Sequence, residues 1–324
     1  MRIVVTGALG HIGSSLIRAL PVEFPGADIV MVDDLSTQRY SSLFDLPDSA
    51  AYHFQEGDVR TIDLIELFRG ADVVVHLAAI TNATDSFANR DAVETVNVGG
   101  TRRVAEACAE VGAPLIFLST TSVYGTQSST VDEDCPESEL QPQSPYATSK
   151  LEGERLLGVV ARERGLRYIA CRFGTIFGPS IGMRFHTAIN KFCWQATLGE
   201  PITVWRTAMH QKRPYLDLQD AVRAILFIIR GDLFDCRIHN VVTVNSTVAD
   251  IVEMIQTHIP DALVQFVDTP IMNQLSYEVS SARFRDAGFT FSGDLRAGIT
   301  STLQLLKGIR AQREQLAQLS PTER

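Results

Sequence analysis

Apolar and polar positions follow two distinct rhythms through the first half of this 324-residue chain. Short continuous apolar runs, "RIVVTG" (2–7), "DIVMVDD" (28–34), "ADVVVHLAA" (71–79), "PLIFLST" (114–120) and "RYIACRFGTIFGP" (167–179), read as strands buried on both faces. Between them, "HIGSSLIRAL" (11–20), "TIDLIELFRG" (61–70), "NVGGTRRVAEACAEV" (97–111) and "YATSKLEGERLLGVVARERG" (146–165) repeat apolar residues at helical spacing. Strands alternating with amphipathic helices predict a parallel sheet covered on both faces. After about residue 179 helical, strand-like and irregular pieces mix, with turn residues at Pro201, Pro214, Pro260 and Pro270. The expected organisation is a sheet domain over 1–172 and a smaller mixed α/β lobe over 173–324, with some chain returning to the sheet. The polar tail "RAQREQLAQLSPTER" reads as a frayed helix end.

Composition narrows the class. The chain is 45% hydrophobic and 21% charged, as an ordinary globular protein is. A net charge of −9 argues against nucleic-acid or membrane-surface partners, which select a basic face. An anionic ligand must therefore meet a local group of cations. Five widely spaced cysteines with no C-x-x-C pair fit reduced thiols in a cytoplasmic protein, so neither a disulfide framework nor a metal site is expected. No apolar run approaches the roughly 20 residues of a membrane span.

Chemistry enters at the strand ends. "TGALGHIG" (6–13) sets Gly7, Gly10 and Gly13 between the first strand and its helix, where a pyrophosphate can approach the helix N-terminus. Asp33, at the end of the second strand, suits the adenosine-ribose hydroxyls and repels a 2′-phosphate, which favours NAD over NADP. Asp58 and Val59 follow the expected third strand, where Asp58 could meet the adenine amino group. "HLAA" (76–79) ends the next strand with small residues against which a flat cofactor can lie; His76 itself reads as a packed core residue. Thr120 closes "LSTTSVYG", and Tyr146 and Lys150 stand one helical turn apart in "SPYATSKLEGE".

These pieces, "TGALGHIG", "VDDLS", "GDVR", "HLAA", "NVGGT", "STTSVYG", "YATSK", "RFGTIFGP" and "KRPYLDLQD", resemble the extended short-chain dehydrogenase/reductase family, and within it the nucleotide-sugar epimerases and dehydratases. The resemblance spans residues 1–220 and implies a Rossmann-type doubly wound sheet with a C-terminal substrate lobe. It implies that Tyr146 is the acid/base, that Lys150 favours its phenolate and binds the nicotinamide ribose, and that Thr120 relays the proton. The implied NAD site comprises Gly7, Gly10, His11, Ile12, Gly13, Asp33, Asp34, Ser36, Asp58, Val59, Leu77, Ala78, Ala79, Asn97, Tyr146, Lys150 and Phe173. On the substrate side it implies Arg213 on the diphosphate, with Thr121, Ser122, Thr175, His186, Asn190 and Trp205 around the sugar and base. Arg184, Arg206 and Lys212 could add to the local positive field, but each reads first as a solvated surface charge.

Three departures from the family pattern shape the expectation. Residues equivalent to Thr121 and Ser122 are usually Asp and Glu in the 4,6-dehydratases, and decarboxylases keep the acid at 122. Thr175 stands where many epimerases have an asparagine, and the place of a second phosphate-binding arginine offers only Asn273 and Gln274. The expected activity is therefore an NAD-dependent epimerase of a nucleotide-diphosphate sugar, a UDP-sugar in the first instance, acting at C4. An NAD-linked dehydrogenase or reductase of an activated sugar, a 4,6-dehydratase, and a non-catalytic NAD-binding protein are the alternatives. By the same resemblance, helices around 97–111 and 147–164 form the seam of a homodimer.

Overall fold

A computed structural model describes residues 1–125, 129–268 and 276–309. Seven parallel strands form the central sheet: β1 (Arg2–Thr6), β2 (Asp28–Asp33), β3 (Ala51–Glu56), β4 (Val73–His76), β5 (Leu115–Thr120), β6 (Tyr168–Phe173) and β7 (Ile238–Val241). Their order is β7-β6-β5-β4-β1-β2-β3. The chain builds outward from β1 in one direction through β3, then crosses back to β4 and continues the other way. That reversal opens a crevice between the C-terminal ends of β1 and β4, the position where doubly wound sheets take ligands.

The inner strands are runs of buried residues, mostly β-branched in β1, β2 and β4, as a strand covered on both faces requires. β3 is mostly exposed and polar, which suits the open edge. On one face, Leu16, Ile17 and Leu20 of helix His11–Glu23 pack in one core with Ile225 and Ile228 of helix Leu218–Gly231. On the other face, Val104 and Cys108 of helix Gly100–Val111 and Leu157 and Val160 of helix Pro145–Arg164 cover Val4, Val74 and Phe117. The predicted helix over 61–70 contracts to Leu64–Phe68, because Asp63 caps it by accepting from Glu66 N at 3.0 Å.

Beyond Phe173 a second core forms around Phe177, Ile189, Phe192, Ile251, Ile255 and Ile299. It lies under a three-stranded sheet of Thr175–Phe177, Lys212–Asp217 and Val244–Thr247. The chain also re-enters the main sheet: β7 pairs with β6, and helix Leu218–Gly231 covers it. No helix of the described residues is long and apolar enough to cross a membrane. Asn273, Gln274 and the tail from 310 lie outside the described residues.

Candidate active site

The glycine-rich turn and the end of β4 press together at the crevice. Gly7 has φ of +68°, and a Cβ there would sit 2.6 Å from Ala78 N and 2.7 Å from Leu77 C; a Cβ on Gly13 would sit 2.5 Å from Gly7 O. The backbone of "HLAA" is thus packed directly on the turn, with Leu77 N donating to Thr6 O at 2.9 Å. Gly10 is the N-cap of helix His11–Glu23 and has no side chain with which to cap it, so the first-turn amides carry no side-chain cap from that position. Asp33 accepts from Leu9 N and Leu35 N, both at 3.1 Å, while burial raises its pKa above the usual carboxylate value. A glycine cradle that any Cβ would fill, an open helix N-terminus and a carboxylate at the end of β2 fit a dinucleotide.

Other residues expected around that cofactor are distributed more variously. Ile12 is half-buried against the core, and His11 Nε2 is hydrogen-bonded to Gly178 O at 2.9 Å. Asp34 and Ser36 are exposed, with Ser36 N donating to Asp34 at 3.0 Å. Asp58 is held by Arg60, whose Nε lies 2.9 Å from Oδ2, and that bond lowers its pKa. In this structure the carboxylate is committed to its own loop. Val59 is buried. His76 is a core residue as predicted: its ring bonds Thr6 Oγ1 at 2.7 Å and Thr101 Oγ1 at 3.2 Å, and burial pushes its pKa down to about 3.

Helix Pro145–Arg164 starts where the sequence orders it to. Ser144 caps it by accepting from Ala147 N at 3.2 Å, and Pro145 occupies the first turn. The cap brings Tyr146 and Lys150 to the C-terminal end of β5. There the Thr120 hydroxyl stands close to the Tyr146 phenol. Burial pushes that phenol up to about 12, and the Thr120 hydroxyl opposes the rise. Lys150 is 4% exposed, with Nζ 4.9 Å from the centre of the Phe117 ring. Burial takes its ammonium down to about 8 against the pull of Glu154, one turn further along. Asn97 fixes the neighbouring loop: it accepts from Ile80 N at 2.8 Å and donates to Ile80 O at 3.0 Å and Ser149 Oγ at 2.9 Å. It sits in a π-helical turn, Glu94–Gly99, a distortion common at functional sites.

Behind the triad lies a buried network that the sequence reading missed. Arg172 on β6 and Glu154 form a two-pronged ion pair, Nε–Oε1 2.9 Å and Nη2–Oε2 2.7 Å, with both side chains 2% exposed. Ser119, next to Thr120, donates to the same carboxylate. Arg172 also donates to the Tyr124 hydroxyl at 2.8 Å, which in turn donates to Asn240 Oδ1 at 2.9 Å. A signal was present: Tyr146, Lys150 and Glu154 repeat at intervals of four on one helix face.

The substrate-side expectations divide. Ser122 is exposed at the mouth, whereas Thr121 is 3% exposed and donates its hydroxyl to Phe173 O at 3.3 Å. Thr121 therefore ties β5 to β6 and does not face the crevice; Phe173 itself is buried. Asn190 is wholly buried, accepts from Gly178 N at 3.3 Å and donates to Arg184 O at 3.4 Å, and so holds a loop. Thr175 is half-buried in register with Tyr215. Trp205 ends a strand paired with Val264–Val267. Arg213 lies over the Tyr277 ring at 5.7 Å and donates to Gln211 at 2.8 Å, and Tyr277 donates to Thr121 O at 3.3 Å. His186 lines a cavity of about 670 Å³ together with Ile80, Asn82, Asp85, Asn89 and Arg184. Burial, then the Arg184 charge, pushes its pKa down to about 4. Arg206 and Lys212 are surface ion pairs with Asp268 and Glu278, as expected, but Arg184 is half-buried in the cavity wall.

Comparison with known proteins agrees with this geometry. The NAD dependent epimerase/dehydratase family matches residues 3–240. The chain is 35% identical over 234 residues to the UDP-glucose 4-epimerase of Mycolicibacterium smegmatis, covering 70% of this chain and 72% of that one. It is 27% identical over 317 residues to a trifunctional UDP-glucose 4,6-dehydratase/3,5-epimerase/reductase of Arabidopsis thaliana, covering 93% of this chain but only about half, 46%, of that longer protein. Among solved structures, the UDP-glucuronic acid 4-epimerase of Bacillus cereus in complex with NAD superposes with a TM-score of 0.83 at 25% identity, over 95% of this chain and 99% of that one.

Proposed function

Because the chain belongs to the NAD dependent epimerase/dehydratase family, we propose that it is a nucleotide-sugar epimerase that inverts C4 of a UDP-sugar. The observation that carries this reading is Thr120 at the end of β5, with Tyr146 and Lys150 on the first turns of the helix that packs against that strand, two strands from the glycine turn. The glycine turn and Asp33 would hold NAD⁺, which would supply a hydride acceptor, later the donor, and positive charge. Tyr146 removes the proton of the C4 hydroxyl, with Thr120 holding that hydroxyl and passing the proton. Lys150 holds a positive charge one turn away. In the protein alone the phenol stands at about 12, so burial outweighs the help of Thr120. Positive charge close to the phenol must offset that burial before Tyr146 acts as a base near neutral pH. The 4-keto sugar then turns over in the cavity, and Tyr146 returns the proton as the opposite face is reduced.

Epimerisation is favoured over dehydration by the two residues after Thr120. Loss of water needs an acid and a base, and here Thr121 is turned into the sheet while Ser122 carries no charge. The test is to incubate the purified protein with UDP-, GDP-, CDP- and ADP-sugars labelled with deuterium at C4. The expected product has the substrate's mass, an inverted C4 and the label retained. A product lighter by water or carbon dioxide would place the chain in another branch, and a net absorbance change at 340 nm with added cofactor would make it a dehydrogenase.

A further inference from the structure

Arg184 is half-buried, unlike a solvated surface cation. It lies on the segment 178–187, between the strand Thr175–Phe177 and the helix Ala188–Thr197, and its guanidinium forms part of the cavity wall. Its hydrogen bond is from Nη1 to Thr81 Oγ1 at 3.2 Å, and among the described residues no carboxylate stands within ion-pair distance of it. Burial pushes its pKa below the usual arginine value, and the nearby Asp33 charge only partly opposes this. A half-desolvated cation with five donors and one protein acceptor is costly unless something else meets it.

The segment that carries it is anchored to the cofactor crevice. Gly182 N donates to Ser14 Oγ at 3.0 Å, and Ser180 Oγ donates to His11 O at 2.9 Å. Gly182 must be glycine: a Cβ there would sit 2.4 Å from Leu9 O and 2.6 Å from Gly10 O. His11 holds Gly178 O, and Asn190 holds Arg184 O. Three hydrogen bonds and the Gly182 contact therefore lay this strap across the glycine turn and the start of its helix, and Asn190 fixes the Arg184 backbone beside them. In a protein of net charge −9, a preset guanidinium there has one evident use.

We propose that Arg184 grips a diphosphate at the junction between the glycine turn and the cavity. A planar guanidinium matches two phosphate oxygens, and it retains donors beyond the one given to Thr81. Two diphosphates meet in such a site, that of NAD and that of the nucleotide-sugar, and both present the same chemistry. This inference rests on the proposed function, and the experiment separates the two.

The test uses the full chain as wild type, Arg184→Gln and Arg184→Lys. NAD content is measured after denaturation, and NAD release is timed by dilution. UDP, UDP-glucose and uridine are titrated into NAD-loaded protein by calorimetry. Losing the grip weakens the affected ligand by roughly ten- to hundredfold in Arg184→Gln, with Lys recovering part of it. Faster NAD release with unchanged UDP affinity assigns the grip to the cofactor. Weaker UDP and UDP-glucose with unchanged uridine assigns it to the substrate. Unchanged binding of all ligands in a folded Arg184→Gln overturns the inference while leaving the proposed function standing. Wild type that binds neither NAD nor UDP would instead sink that function itself.

Discussion

Replacing Glu154 by Gln removes one charge and almost no volume, which isolates what the buried ion pair contributes. Arg172 is 2% exposed and pairs with Glu154 through two bonds of 2.7–2.9 Å, so the substitution leaves its guanidinium charged in the core without a counter-ion. Breaking a buried pair by removing one partner costs roughly 3–5 kcal/mol, far above the 0–1 kcal/mol of a surface pair. At a urea slope of about 3 kcal/mol/M, that moves the unfolding midpoint down by about 1–1.7 M. Far-UV circular dichroism reads the midpoint across the whole sheet. The companion variant Glu154→Leu/Arg172→Met removes both charges. It leaves the Ser119 hydroxyl without its acceptor, a loss of about 1–3 kcal/mol, and takes one donor from the Tyr124 hydroxyl, which keeps its bond to Asn240, so it should be more stable than Glu154→Gln. A double-mutant cycle should therefore return a coupling of at least about 2 kcal/mol. A Glu154→Gln midpoint within about 0.3 M of wild type, or strictly additive single effects, would show that the pair is not the buried, mutually dependent unit described above.

Three further outcomes are expected. Tyr146→Phe keeps the fold and NAD content but loses turnover by at least about 10²-fold, measured on whichever sugar the substrate panel identifies; near-normal turnover sinks the acid/base assignment. Gly7→Ala places a Cβ 2.6 Å from Ala78 N at φ of +68°, so it should lose more than about 2 kcal/mol of stability and most co-purified NAD, and normal NAD content would refute the packing argument. His76 takes up a proton near 6.5 when unfolded but only near 3 when folded. The unfolded chain therefore binds more protons in that window, and stability falls as pH drops through it, by up to about 1.4 kcal/mol per pH unit from this one residue. His76→Gln should flatten the slope of unfolding free energy between pH 6 and 4 by about that amount, and an unchanged slope would count against it.

The fold was legible because its signals are local. Buried parallel strands announce themselves as unbroken apolar runs, and β1, β2, β4, β5 and β6 all fall inside the predicted segments. β3 escaped the same rule, since its residues alternate and are mostly solvated at the sheet edge; only the "EGDVR" that follows marked its end. The start of the Tyr146 helix was legible from Ser144 and Pro145, two residues whose preference for a helix entry is intrinsic.

The site was legible only in the part that repeats along one element. Tyr146 and Lys150 are neighbours in sequence and on their helix, and Thr120 joins them because consecutive strand ends meet at one edge of the sheet. What sequence spacing does not encode is which way a side chain turns. Thr121 and Ser122 are adjacent hydroxyls, yet one closes the gap between β5 and β6 while the other meets solvent, because β5 ends at Thr120 and both lie in the single 3₁₀ turn Thr121–Val123, whose residues point in different directions. Asn190 and Arg184, six residues apart, looked like a ligand and a solvated charge. In three dimensions the amide spends its donor on the arginine's backbone, and the arginine is the group left to face the cavity. The exchange of roles has one physical cause: a buried amide must satisfy its hydrogen bonds within the protein, whereas a guanidinium with donors to spare is held where something else can accept them.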